Sequence, residues 1–391
     1  MRSDGLLPVV PSRKRFGLLF ITHHVSRITH PAFVLPEFTL PQTDGSPFRS
    51  SAEMYDTLHA ACSESDTATF HALGESEDGR PIAGAVLGNG EPREETPVVS
   101  LIAGNHADEP VGPLTLRRLV LDAARRPEEW AALLERLRFV VVPHTNPDGE
   151  ADNRAWMRDW PDAVSYLRHR MREEPGRDLE FGFPAMRTEN RLVSDFLKAQ
   201  APPGGYALHA SLHGMALAEG AQLLIERRWG FRTEALREGF REAVRAEGLA
   251  MHDHNRFGEK GFFYLGPGFN TTPEGAAMRA YFRAQGDESM AARFHDSSME
   301  FVRALGEDPD PLCLVTELPL FVVPPAEDAP PGVPRRYLAL RETLPELRLR
   351  LQRGEPITDE LARYDVRPLP VATAVRLQRR ALVLGLETVE V

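Results

Sequence analysis

Between residues 82 and 316 the chain alternates short apolar runs with amphipathic stretches, and several of the runs break off on residues that can bind a metal or carry a proton. Strands are predicted over 82–87, 97–103, 137–142, 206–212 and 312–316. The run at 137–142 has the character of a strand buried on both faces. Helices are predicted over 110–126, 190–198, 232–247 and 337–352. In the first of them Leu114, Leu116, Leu119, Val120 and Ala123 form the buried stripe, and Pro110 stands at its start. Strands alternating with helices imply an α/β fold, with a mostly parallel central sheet covered by helices on both faces. Such a sheet binds ligands in the crevice beyond the C-terminal ends of its strands.

Length and composition set the frame for that fold. With 391 residues, 42% of them apolar, the chain can bury one large α/β core with appendages. The net charge of −11 argues against nucleic acid as the main partner. The two cysteines, Cys62 and Cys313, lack the paired spacing of a Cys-rich zinc site, so a metal would be held by His and carboxylate. Residues 1–47 read as a loosely structured extension, 48–353 as the catalytic domain, and 354–391 as a tail with helical pieces. The apolar stretch after Arg13-Lys14-Arg15 is short and broken by His23-His24. No run approaches the ~18 apolar residues of a membrane span. The expected location is therefore cytoplasmic, with no membrane partner. The oligomeric state is not legible.

Four positions carry the chemistry. His106 and Glu109 follow the strand that ends at Ala103 and stand three residues apart, which lets imidazole and carboxylate converge in a turn entering a helix. The same spacing serves a polar loop that caps the next helix. His213 follows the strand 206–212, with His209 on the same side of that strand as a neighbour or a core histidine. A catalytic zinc takes three protein ligands and keeps one open position, a set His106, Glu109 and His213 would complete. Glu317 ends the last apolar run. A carboxylate there needs a task or a partner, so it is either a general base or half of a buried salt bridge. Asn146-Pro147-Asp148-Gly149 is a strong turn signal, followed by Asn153-Arg154 and Arg158, and later by Asn190-Arg191. The planar fork of Arg suits carboxylates and oxyanions.

In their order along the chain these segments resemble the M14 metallocarboxypeptidase family. The matching pieces are Gly74 to Ile82, Gly104 to Gly112, Asn146 to Gly149 with Asn153-Arg154, Asn190-Arg191, Leu212-His213 and Thr316-Glu317-Leu318. The resemblance implies a mixed sheet with helices on both sides and one zinc per chain, held by His106, Glu109 and His213. It implies Glu317 as general base and proton shuttle, and Arg154 or Arg158 as the arginine that polarises the scissile carbonyl. Asn190 and Arg191 would grip the terminal carboxylate of the substrate. The chain departs from the family's pattern at Glu189 and Leu192, which flank Asn190-Arg191. Neither Tyr264 nor Tyr281 has the context of a substrate-capping tyrosine. The 104-residue step from His213 to Glu317 leaves room for an inserted lid or pocket loop.

The function expected from these residues is zinc-dependent hydrolysis of an amide next to a free carboxylate, on a peptide substrate. The related desuccinylase and aspartoacylase group shares the zinc site, so an acyl-amino acid is the alternative substrate. A binding protein that kept the fold and lost the reaction is the alternative of another class. A serine hydrolase is excluded at Gly74-Glu75-Ser76-Glu77-Asp78, which lacks the second glycine of a nucleophile elbow.

Overall fold

A computed structural model describes residues 35–38, 40, 45–88, 95–307 and 310–389. Much of the predicted extension, including Arg13 to Ile21, lies outside the described residues. Its described part is not loose: Leu35 and Phe38 are buried in the core. Arg379 donates to the carbonyl oxygens of Leu35 and Pro36 and ties that segment to the C-terminal helix.

The strands are β1 (Ala68–Glu75), β2 (Pro81–Leu87), β3 (Val98–Ala103), β4 (Arg138–Val142), β5 (Leu208–Ala218), β6 (Gln222–Ile225), β7 (Tyr264–Gly266), β8 (Phe269–Thr271), β9 (Leu312–Val322) and β10 (Arg367–Pro368). They form one mixed sheet in the order β1-β2-β4-β3-β5-β9-β6-β8-β7, with β10 paired to β9. Its centre, β4-β3-β5-β9, is parallel. The outer pairings β1–β2, β2–β4, β6–β9 and β7–β8 are antiparallel.

Alternation along the central strands sorts side chains onto two faces. Val99, Leu101, Leu208, Ala210, Leu212, Leu312 and Leu314 join the larger core, with the helices Ser51–Ser63, Val111–Arg125 and Val371–Thr388. Val98, Ile102, Val140 and Val142 point the other way, against the helix Thr188–Gln200. Gly112 lets the helix Val111–Arg125 lie directly on β5, since a Cβ there would stand 2.2 Å from the carbonyl oxygen of Leu212. Ala in its place would force the helix away from the strand that carries His213.

Two features differ from the sequence expectation, each for a physical reason. The strands predicted to stop at 212 and 316 run on to Ala218 and Val322. Their backbones stay paired throughout, from Leu208↔Leu312 to Ala218↔Val322, although His213, Glu317 and Pro319 interrupt the apolar pattern. The described part of the segment read as a tail, residues 354–389, is integral to the core. Val371–Thr388 buries Ala374, Val375, Leu377, Ala381 and Leu382. Its Gln378 accepts from Thr115 Oγ1 at 2.5 Å and donates to the carbonyl oxygen of His213 at 3.3 Å. Among the described residues no helix is long and apolar enough to cross a membrane.

Candidate metal centre

β3 ends at Ala103, while β5 and β9 continue past it. Beyond that end the chain must turn sharply. Gly104 takes φ +85°, and a Cβ there would lie 2.6 Å from His144 Nδ1. The turn delivers His106 and Glu109 over the protruding half of β5. Register pairing sets His213 of β5 beside Glu317 of β9. Both alternate with Leu212 and Leu318, so they face away from the larger core.

His106, Glu109 and His213 offer donor atoms that all lie within 4.8 Å of one another. His106 Nδ1 stands 3.1 Å from Glu109 Oε1 and 3.0 Å from His213 Nδ1. His213 Nδ1 lies 2.9 Å from Glu109 Oε2. The opposite ring nitrogens fix the tautomers. His106 Nε2 meets Asp178 at 3.2 Å, and His213 Nε2 meets Glu180 Oε2 at 3.0 Å. A proton on each Nε2 is thereby satisfied, and each Nδ1 turns a lone pair inward. Two lone pairs and a carboxylate converging at about 3 Å repel unless a cation sits between them. Four donors around zinc at ~2.0–2.2 Å lie about 3.3 Å apart. The cluster therefore fits a tetrahedral zinc with one position left for substrate or water.

Asp178 and Glu180 were not legible as site residues, because their segment reads as loop. They flank the start of the 3₁₀ turn Leu179–Phe181. Asp178 caps it, accepting from Glu180 N at 2.9 Å. Glu180 is buried and also accepts from Asn105 Nδ2 at 2.5 Å and Ser298 Oγ at 3.0 Å. The only sequence signal was a lone acid between Leu179 and Phe181.

Four predicted residues fall elsewhere. Arg154 lies on the helix Pro147–Arg158, where it donates to Glu150 Oε1 at 3.0 Å and to the Phe48 carbonyl at 3.2 Å. Arg158, one turn on, shares that helix face and is exposed. The turn Asn146 to Gly149 is in fact this helix's start, with Asn146 accepting from Gly149 N. Asn190 is buried under the site and donates to the Leu179 carbonyl at 2.9 Å, so it braces the turn bearing Asp178 and Glu180. Arg191 is exposed. None of the four lines the cavity that holds the metal donors.

That cavity measures about 610 Å³. Its arginine nearest the donors is Arg172, with Nη2 3.0 Å from His106 Nδ1 and Nη1 3.4 Å from Glu109 Oε1. Arg172 thus reaches the cluster itself, which neither Arg154 nor Arg158 does. Glu317 lines the same cavity, and burial followed by the charge of Glu109 pushes its carboxyl up to about 8. Phe181, Leu224, Phe262, Met278, Met299 and Val315 make one apolar part. Arg256 also lines the cavity, with its guanidinium 3.9 Å over Phe262. The long interval before Glu317 supplies much of this wall, through 252–262 and the helix Gly275–Ala284. Tyr264 donates to Asp253 Oδ1 at 2.7 Å, and neither it nor Tyr281 lines the cavity; Tyr337 does.

The chain is similar to known carboxypeptidases. Carboxypeptidase B of Astacus astacus is 26% identical over 157 residues, which are 38% of this chain and 51% of that protein. The chain thus spans about half the length of this curated relative. A putative carboxypeptidase from Burkholderia mallei matches 88% of this chain and 69% of its own, at 15% identity and a TM-score of 0.48. A metallo-carboxypeptidase from Burkholderia cenocepacia matches 88% and 70%, at 16% identity and a TM-score of 0.47. Residues 54–205, which carry His106, Glu109, Asp178 and Glu180, match the zinc carboxypeptidase family.

Proposed function

We propose that this chain is a zinc-dependent hydrolase that cleaves an amide bond next to a free carboxylate, with a peptide as substrate. The observation that carries this reading is the convergence of His106 Nδ1, His213 Nδ1 and the Glu109 carboxylate within about 3 Å, with Glu317 paired in register beside His213. Zinc held there would supply Lewis acidity, polarising a carbonyl and making a water acidic near ~7.

The protein's own groups account for the rest. Asp178 and Glu180 hold the two imidazoles in the ligating tautomer. Glu317 accepts the proton of the attacking water and hands it to the departing amine. A carboxyl held by burial near neutrality suits both transfers. Arg172 donates to the carbonyl oxygen as negative charge grows on it. The apolar part of the cavity receives the side chain of the released residue. Arg256, over Phe262, provides the cationic partner for its carboxylate, the role that the placement of Asn190 and Arg191 does not support.

Glu317→Gln is the decisive variant. It removes the proton acceptor while keeping size and leaving the three ligands intact. Zinc content near one per chain with turnover reduced by at least about a thousandfold is expected, in line with the loss of a general base plus its second transfer. Turnover equal to the parent would exclude this mechanism.

A further inference from the structure

A second cavity, of about 370 Å³, adjoins the metal cavity and shares Arg170, Arg172 and Arg348 with it. Its other lining residues are Leu167, Arg168, Met171, Leu351 and Gln352. Among the described residues, four guanidinium groups therefore line one recess and no carboxylate does. Like charges brought together repel unless a counter-charge is supplied.

The protein supplies that counter-charge to two of the four, Arg170 and Arg172. Asp108 lies beneath the recess and is committed to Arg170, whose Nε is 2.5 Å from Oδ2. Arg172 turns to the metal donors, within reach of His106 and Glu109. Among the described residues, neither Arg168 nor Arg348 has an ion-pair partner, and both are exposed. Arg348 belongs to the helix Arg335–Gln352, which also turns Tyr337, Arg341, Leu344 and Pro345 to the metal cavity. This helix lies outside the segment that matches the family.

The geometry of the two cavities gives the recess a place along a substrate. The released residue sits at the apolar part with Arg256, and the scissile bond sits at the metal donors beside Arg172. The preceding residues must leave by another route, and Arg172 leads on to Arg170 and Arg348. We propose that Arg168 and Arg348, beside the paired Arg170 and Arg172, form an anion-binding subsite that takes a carboxylate side chain of an acidic peptide, on the far side of the scissile bond from its free terminus. Guanidinium forks match carboxylates in pairs, which favours Asp or Glu there over neutral residues. The position on the substrate rests on the hydrolase reading above; the anion selectivity of the recess does not.

The test uses the full zinc-loaded chain and peptides that differ only upstream of the cleaved bond, bearing Glu, Gln or phosphoserine. The parent should cleave the Glu peptides about tenfold or more faster, in kcat/KM, than their Gln twins. Arg168→Ala/Arg348→Ala should remove that preference while changing the Gln peptide by less than about twofold. Both side chains are exposed, so folding should survive, which a thermal melt verifies. Binding of the same peptides to the Glu317→Gln protein, read by fluorescence anisotropy, separates the two ideas. Glu-selective binding without hydrolysis by the parent would overturn the hydrolase reading and uphold the subsite. Equal binding of Glu and Gln peptides would overturn the subsite. A phosphoserine peptide bound tenfold more tightly than its Glu twin would overturn the assignment to carboxylate.

Discussion

Replacing Glu180 by Gln tests whether the metal centre depends on the carboxylate behind His213. The change preserves shape and removes one charge. Glu180 Oε2 accepts from both His213 Nε2 and Asn105 Nδ2, at 3.0 and 2.5 Å, while Oε1 accepts from Ser298 Oγ at 3.0 Å and Ser298 N at 3.3 Å. Each end of the carboxylate thus faces a backbone or side-chain N–H donor. A Gln must set its NH₂ against the Ser298 amide or against the two donors on the other side. Leaving a buried donor unmatched costs about 1–3 kcal/mol. The imidazole also loses the charged acceptor that fixes its tautomer and raises its basicity. Losing such a partner lowers metal affinity by about 10–100-fold, or ~1.4–2.7 kcal/mol. Competition against a chelator of known zinc affinity measures this directly. Zinc affinity unchanged within a factor of two would mean that Glu180 is only a packing residue, and the tautomer argument for His213 would fail with it.

The remaining predictions concern charge. Arg172→Ala should lower kcat by about a hundredfold or more with zinc retained, because it removes a donor to the developing oxyanion. Arg154→Ala should leave kcat within about twofold, since Arg154 bonds Glu150 and the Phe48 carbonyl instead; a larger loss in Arg154→Ala than in Arg172→Ala would reverse the assignment. Acid sensitivity should trace partly to His252, which burial pushes down to about 3. Its folded pKa lies below the unfolded ~6.5, so the unfolded chain binds a proton that the fold refuses, and stability drops as pH falls below ~6.5. Between pH 7.5 and 5 this amounts to about 2 kcal/mol. His252→Gln should therefore flatten the pH dependence of urea unfolding, and an unchanged dependence would contradict the burial argument.

The parts of this protein legible in its sequence are those specified by local pattern. A run such as Val98–Ala103 reads as a strand because alternation and apolarity act over neighbouring residues. His106 and Glu109 read as a pair because a turn brings residues three apart together. His213 and Glu317 stood out because polar groups in apolar runs are costly without a purpose. Tyr264 and Tyr281 gave no local context, and the structure places neither in the cavity.

What tertiary structure alone decided is which residues surround those donors. Arg154 and Arg158 follow a turn signal that points towards the crevice, but helical geometry rotates both onto the face carrying Glu150. Asn190 and Arg191 are adjacent in sequence, yet a helix sends one beneath the Leu179–Phe181 turn and the other to solvent. Asp178, Glu180 and Arg172 come from a charged stretch with no regular period, so nothing local sets their direction. They are placed by long-range contacts, with Glu180 meeting Ser298 across 118 residues and Arg172 meeting His106 across 66. The helix Val371–Thr388 reads as a tail because few of its neighbours in sequence need it; packed, its Gln378 holds the backbone of His213. Orientation around a metal is a property of packing, and packing joins residues whose separation along the chain carries no pattern to read.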